Sequence, residues 1–143
     1  MKAVSVTSAT ASMMLALALG LAGCSSNKVD TTSLKPVETR TVGNLTIVLM
    51  SATGELKQGQ NDFVVQFRDR QGQPLDIGDV QLGSSMSMPG MAPMSGNSEV
   101  TPASQAGTYR VKSNFFMSGA WRFTISWNGP QGKGSTTFNS NVR

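Results

Sequence analysis

Apolar and polar side chains alternate through most of the chain after Asn44. That period of two is the mark of strands with one face in a core and one in water. Leu45, Ile47 and Leu49 alternate with Thr46, Val48 and Met50. Phe63, Val65 and Phe67 alternate with Val64, Gln66 and Arg68, and Tyr109 and Val111 with Arg110 and Lys112. The cleanest run sets Trp121, Phe123, Ile125 and Trp127 against Arg122, Thr124 and Ser126. Turn-forming clusters separate these runs: Lys57 to Asp62, Asp69 to Pro74, Gln105 to Gly107 and Asn128 to Gly132. Val80 to Leu82, Ser98 to Val100 and Gly134 to Val142 supply further strands. About seven short strands and no mature helix predict an all-β, immunoglobulin-like antiparallel β-sandwich over residues 44–143. Trp121 and Trp127 bury the most area on its inner face, and Met50 is read as core.

Two segments depart from this pattern. Residues 25–43 are polar, carry Pro36 and show no sustained period, which reads as a tether. Ahead of them, Lys2 precedes an apolar run from Met13 to Ala22, too short for a spanning helix of about 20 residues. The run ends in Leu21-Ala22-Gly23-Cys24, which resembles a lipobox. The expected organisation is a signal peptide over 1–23, a lipidated Cys24 with a tether to residue 43, and one domain. Multiple acyl chains on Cys24 would anchor the protein durably in a membrane. Ser25 after the cysteine resembles the pattern that sends lipoproteins to the outer membrane, with the domain facing the periplasm.

Composition removes several functions. The chain has no histidine, and its single cysteine is the one assigned to lipidation. A histidine base, an imidazole zinc site, a disulfide and a thiolate nucleophile are all unavailable. The eight acidic residues are scattered without a carboxylate pair, and no phosphate-binding glycine loop precedes a helix. An enzyme is not expected. The net charge of +4 is mild and its basic residues are spread singly, so nucleic acid is not an expected partner.

One segment remains chemically distinctive. Met86-Ser-Met88-Pro-Gly-Met91-Ala-Pro-Met94 places four methionines among chain breakers, where a loop is expected, and Met117 precedes Ser-Gly-Ala-Trp121. Pro89-Gly90 suits the centre of a type II turn, with Met88 and Met91 at its two ends, Cα atoms within about 7 Å. Met86 would lie on the same side as Met88, and Met94 would fold back after Pro93. Converging thioethers are soft, neutral donors suited to Cu(I), with Ag(I) as a surrogate. An apolar loop that docks on a protein partner, or incidental packing, would use the same residues.

Residues 44–138 resemble the YtkA-like family, a relative of FixH-like proteins. The resemblance rests on Gly59-Gln-Asn-Asp-Phe63, Asp69-Arg-Gln-Gly-Gln-Pro74, Met86-Ser-Met-Pro-Gly-Met91, Thr101-Pro102, Gly107-Thr-Tyr109 and Met117-Ser-Gly-Ala-Trp121. It implies an exported sandwich associated with heavy-metal efflux or with copper supply to oxidases. Met86, Met88, Met91 and Met117 fall on matching positions as metal ligands, and Met94 joins them by proximity. Pro89, Gly90 and Trp121 would support the site. The implied partners are the membrane through the anchor and an efflux-pump or oxidase-assembly protein.

Overall fold

The computed structural model describes residues 28–143, so the expectations for the signal peptide and for Cys24 lie outside the described residues. Eight strands run antiparallel: β1 (Lys35–Val42), β2 (Leu45–Ser51), β3 (Gly59–Arg68), β4 (Asp79–Met86), β5 (Met94–Pro102), β6 (Thr108–Phe115), β7 (Gly119–Gly129) and β8 (Gly132–Val142). Their hydrogen-bonded order is β1-β2-β3-β6-β5-β4-β7-β8. The run β3-β6-β5-β4 is a Greek key, in which three successive strands form a meander and the strand before them returns beside the last.

The two layers share β5. Its first residues, Met94 to Gly96, pair with β4, and Asn97 to Pro102 pair with β6. The strand thus leaves one sheet and enters the other. At the crossing, Gly96 lies so close to Ser84 Oγ and the Trp121 ring that no side chain fits there. Around the core, the inward residues are those the alternation assigns. Leu45, Ile47, Leu49, Phe63, Val65, Phe67, Tyr109 and Val111 face Leu82, Trp121, Phe123, Ile125, Trp127 and Phe138. Edge-to-face contacts link Phe67 to Tyr109 and Trp127, and Phe115 to Phe123, the geometry aromatic quadrupoles favour.

Two expectations change. The stretch assigned to a tether contains β1, whose exposed, aperiodic side chains carry no strand signal. Backbone pairing to β2 holds it, with a register break between Pro36 and Glu38 that accommodates the proline. The outer face of β2 is also not solvated. Val48, Met50 and Val64 form a second buried cluster, covered by Val29 and Leu34. Met50 is therefore buried, but on the side away from the main core.

The sandwich has two poles. At one, which we call the base, lie the turn of residues 69–78, the β5–β6 loop and the two-residue Pro130-Gln131 hairpin. The base is tied by Phe67 N donating to Gly107 O (2.8 Å), by Leu75 N donating to Phe67 O (2.9 Å), and by the Tyr109 hydroxyl donating to Gly78 O (2.6 Å). The opposite pole, the rim, holds the ends of β2, β4, β6 and β8 and the starts of β3, β5 and β7.

Candidate functional site

All five methionines singled out in the sequence lie at the rim. Met86 and Met94 are not loop residues, as the breakers around them suggested. They are the last residue of β4 and the first of β5, directly opposed as Cα partners. Ladder pairing outweighs the local breakers here, and only residues 87–93 form the connection. Opposed residues on antiparallel strands send their side chains to the same face, with Cβ atoms about 5 Å apart. On β4 that face is the inner one, shared with Leu82 and Ser84, and Met86 packs partly buried against the main core.

Between them, Met91 N donates to Met88 O at 3.2 Å, and Gly90 has φ 77°. That is the geometry expected of a turn with Pro89 and Gly90 at its centre. A left-handed φ at the third position favours glycine, and the proline presets the second. Met88 and Met91 are thereby held at the two ends of one turn. Met91 is 65% exposed at the hairpin tip, whereas Met86, Met88 and Met94 are half-buried.

Met117 belongs to the neighbouring β6–β7 loop. Trp121 is fully buried, yet its indole Nε1 reaches up to donate to Met117 O at 2.9 Å. Gln58 Nε2 donates to Phe116 O at 2.9 Å, fastening the same loop from the other side. The loop is brought to the hairpin by Gly119, which has φ 135° and sits under Met86. A Cβ there would collide with Met86 Cε and stand 3.9 Å from its Sδ. Thus Met86 links the hairpin to the Met117 segment, while Met91 stands farther out. Trp121 lies below both, its ring tilted at 59° to that of Phe115 with centroids 5.2 Å apart.

Sequence reasoning missed two rim residues. Phe116 is 48% exposed beside Met117, and the Phe115-Phe116 pair does signal it, because a period of two must turn one of them outward. Gly119 carried no local signal, since its role comes from a contact with another strand. Among the described residues, no group of three or more His, Cys, Asp or Glu could hold a metal ion. Thioethers are then the soft donors concentrated at the rim.

A YtkA-like family model matches residues 39–126, which includes β2 to β6, the methionine hairpin, Met117 and most of β7. The chain belongs to the YtkA-like family. No curated protein matches it significantly. Among solved structures, the YtkA-like chain is similar to the Lin-41 filamin domain, at 19% identity and a TM-score of 0.46, over 74% of this chain and 98% of that one. It is also similar to a DUF4426 family protein from Pseudomonas aeruginosa PAO1, at 15% identity and a TM-score of 0.49, over 73% and 93%. FetP from uropathogenic E. coli strain F11 is similar at 10% identity and a TM-score of 0.46, over 78% and 97%.

Proposed function

We propose that this YtkA-like protein is a lipid-anchored envelope protein that binds Cu(I) through its methionine rim and serves a metal-efflux or oxidase copper-assembly system. The observation that carries the reading is the joining of Met86 to Met94 by strand pairing and to the Met117 loop across Gly119. The turn at Pro89-Gly90 adds Met88 and Met91 on the same hairpin. Soft monovalent ions prefer such neutral sulfur donors, and Ag(I) would report the same site. Because thioethers exchange readily, the ion would pass to a partner's sulfur ligands by replacement of one donor at a time. The anchor is Cys24, with the domain facing the periplasm and the outer membrane favoured by Ser25.

Anaerobic competition between the protein and a chromogenic Cu(I) chelator tests the reading. The chain is expected to withdraw one equivalent, and the variant with Met86, Met88, Met91 and Met94 all changed to Leu none. Equal withdrawal by both, or by neither, would sink the metal site.

A second reading rests on exposure. Met91, Phe116 and Met117 leave large apolar side chains in water at one pole, which suits a metal-free module that docks on an envelope complex. Met→Leu changes keep that surface apolar. Docking would therefore survive the quadruple substitution that removes copper.

A further inference from the structure

Residues 28–34 do not hang free. They cover the outer face of β2, β3 and β6 as a strap, turned once where Leu34 N donates to Thr31 O. At its far end, Leu34 leads into Lys35, which pairs with Ser51, level with Phe63 and Val111 in the middle of the sheet. Val29 and Leu34 cover Val48, Met50 and Val64. At its near end, Lys28 O accepts from the Arg110 guanidinium at 3.3 Å. Lys28, Val29, Asp30 and Thr31 line a groove with Ser104 and Gln105, which belong to the β5–β6 loop at the base. The chain therefore enters the domain on the base side and has reached only mid-sheet when β1 begins. Along β6, seven residue steps from Thr108 to Phe115 separate the poles by about 24 Å.

We infer that the strap fixes the polarity of the molecule on its membrane, with the base against the bilayer and the methionine rim directed away from it. The inference rests on the anchoring reading above, and adds to it the direction in which the site looks. Cys24 is four residue steps from Lys28, a leash of at most about 14 Å. That is shorter than the separation of the poles, so the rim cannot reach the surface upright unless the strap peels off. The strap resists peeling because it would expose Val48, Met50 and Val64 to water. The partner that exchanges metal at the rim then comes from the aqueous side. It would be a soluble carrier, or a domain projecting from the facing membrane, with sulfur ligands at its own surface. A site within the anchoring bilayer lies on the wrong side of the molecule.

Energy transfer from a single fluorophore to acceptor-labelled lipid tests this on the lipidated full chain in vesicles. Cys24 is acylated, so a cysteine introduced at Ser104→Cys labels the base and one at Lys57→Cys labels the rim. Transfer from the base label is expected to be several-fold more efficient, and equal or reversed efficiencies overturn the polarity. Adding Val29→Asp and Leu34→Asp frees the strap and should erase the difference; an asymmetry that persists shows that the strap does not set it. Failure of the anchor itself is read separately, as absence of acyl mass on Cys24 or as vesicle flotation of a Cys24→Ser chain. In that event a Cys24→Ser chain labelled at Lys28→Cys, paired in turn with each pole label, still tests the strap. Lys28 nearer the rim label than the base label overturns it.

Discussion

At the residue scale, individual side chains tie loops to the core, and each tie has a measurable consequence. Trp121 is the clearest. Its ring fills the core beneath the rim, and its indole N–H holds Met117 O. Trp121→Phe keeps most of the apolar contact and removes the donor, so the chain should lose about 1–2 kcal/mol in denaturant titration. Amide exchange at Met117 and Ser118 should rise in the same variant, a local opening that global unfolding alone would not give. Tyr109 does the equivalent work at the base, through its hydroxyl on Gly78 O. Burial, then the charges of Asp76 and Asp79, push its phenol above the ordinary value, outweighing a backbone hydrogen bond near Ile77. A folded-state pKa above the unfolded one contributes stability that is whole below about pH 10 and is lost as pH rises beyond it. Tyr109→Phe should cost about 1 kcal/mol at neutral pH and flatten the alkaline limb of stability against pH. An unchanged alkaline limb would assign that loss to other groups.

At the scale of elements, the hairpin β4–β5 and the β6–β7 loop act as one unit because Met86 sits over Gly119. Gly119→Ala adds a methyl in the path of Met86 Cε and imposes strain at φ 135°. The expected cost is about 1–3 kcal/mol, with a weaker Cu(I) titration than the wild type. Gly90→Ala is a milder test of the turn alone. The φ of 77° should cost about 1 kcal/mol, while the space around Gly90 is open, so the fold should persist. If Gly90→Ala bound Cu(I) as tightly as the wild type, pre-shaping by the turn would not matter to the site. Much of this unit was legible beforehand. Pro89-Gly90 between methionines announces its turn, because a proline followed by a left-handed residue has few alternatives. The strand character of Met86 and Met94 was not legible, since it comes from pairing with each other and not from their Ser-, Gly- and Pro-rich neighbours.

At the scale of the whole molecule, the strap and the shared strand β5 decide how the parts are arranged. Removing residues 28–34 should uncover Val48, Met50 and Val64 and create binding for an apolar dye that the intact domain lacks. A stability loss of a few kcal/mol is the expected size for three exposed apolar side chains. Dye binding and melting temperature unchanged by the deletion would show that the strap contributes nothing to the fold. The polarity of the molecule follows from the same contact, as does the outlook of its methionine rim.

Alternation alone specified most of the strands from β2 onward, because a period of two with large residues on one side leaves a buried face no other solution. The sequence also specified the Met88–Met91 turn and the aromatic core, for these depend on residues near one another in the chain. That β1 forms, that β5 passes from one sheet to the other, and that the outer face of β2 is covered were settled by long-range packing. The same packing placed Gly119 beneath Met86. Each of these depends on partners distant in sequence, and the polar residues of β1, the small residues at the crossing and the lone apolar Val29 and Leu34 have no period of their own to announce them.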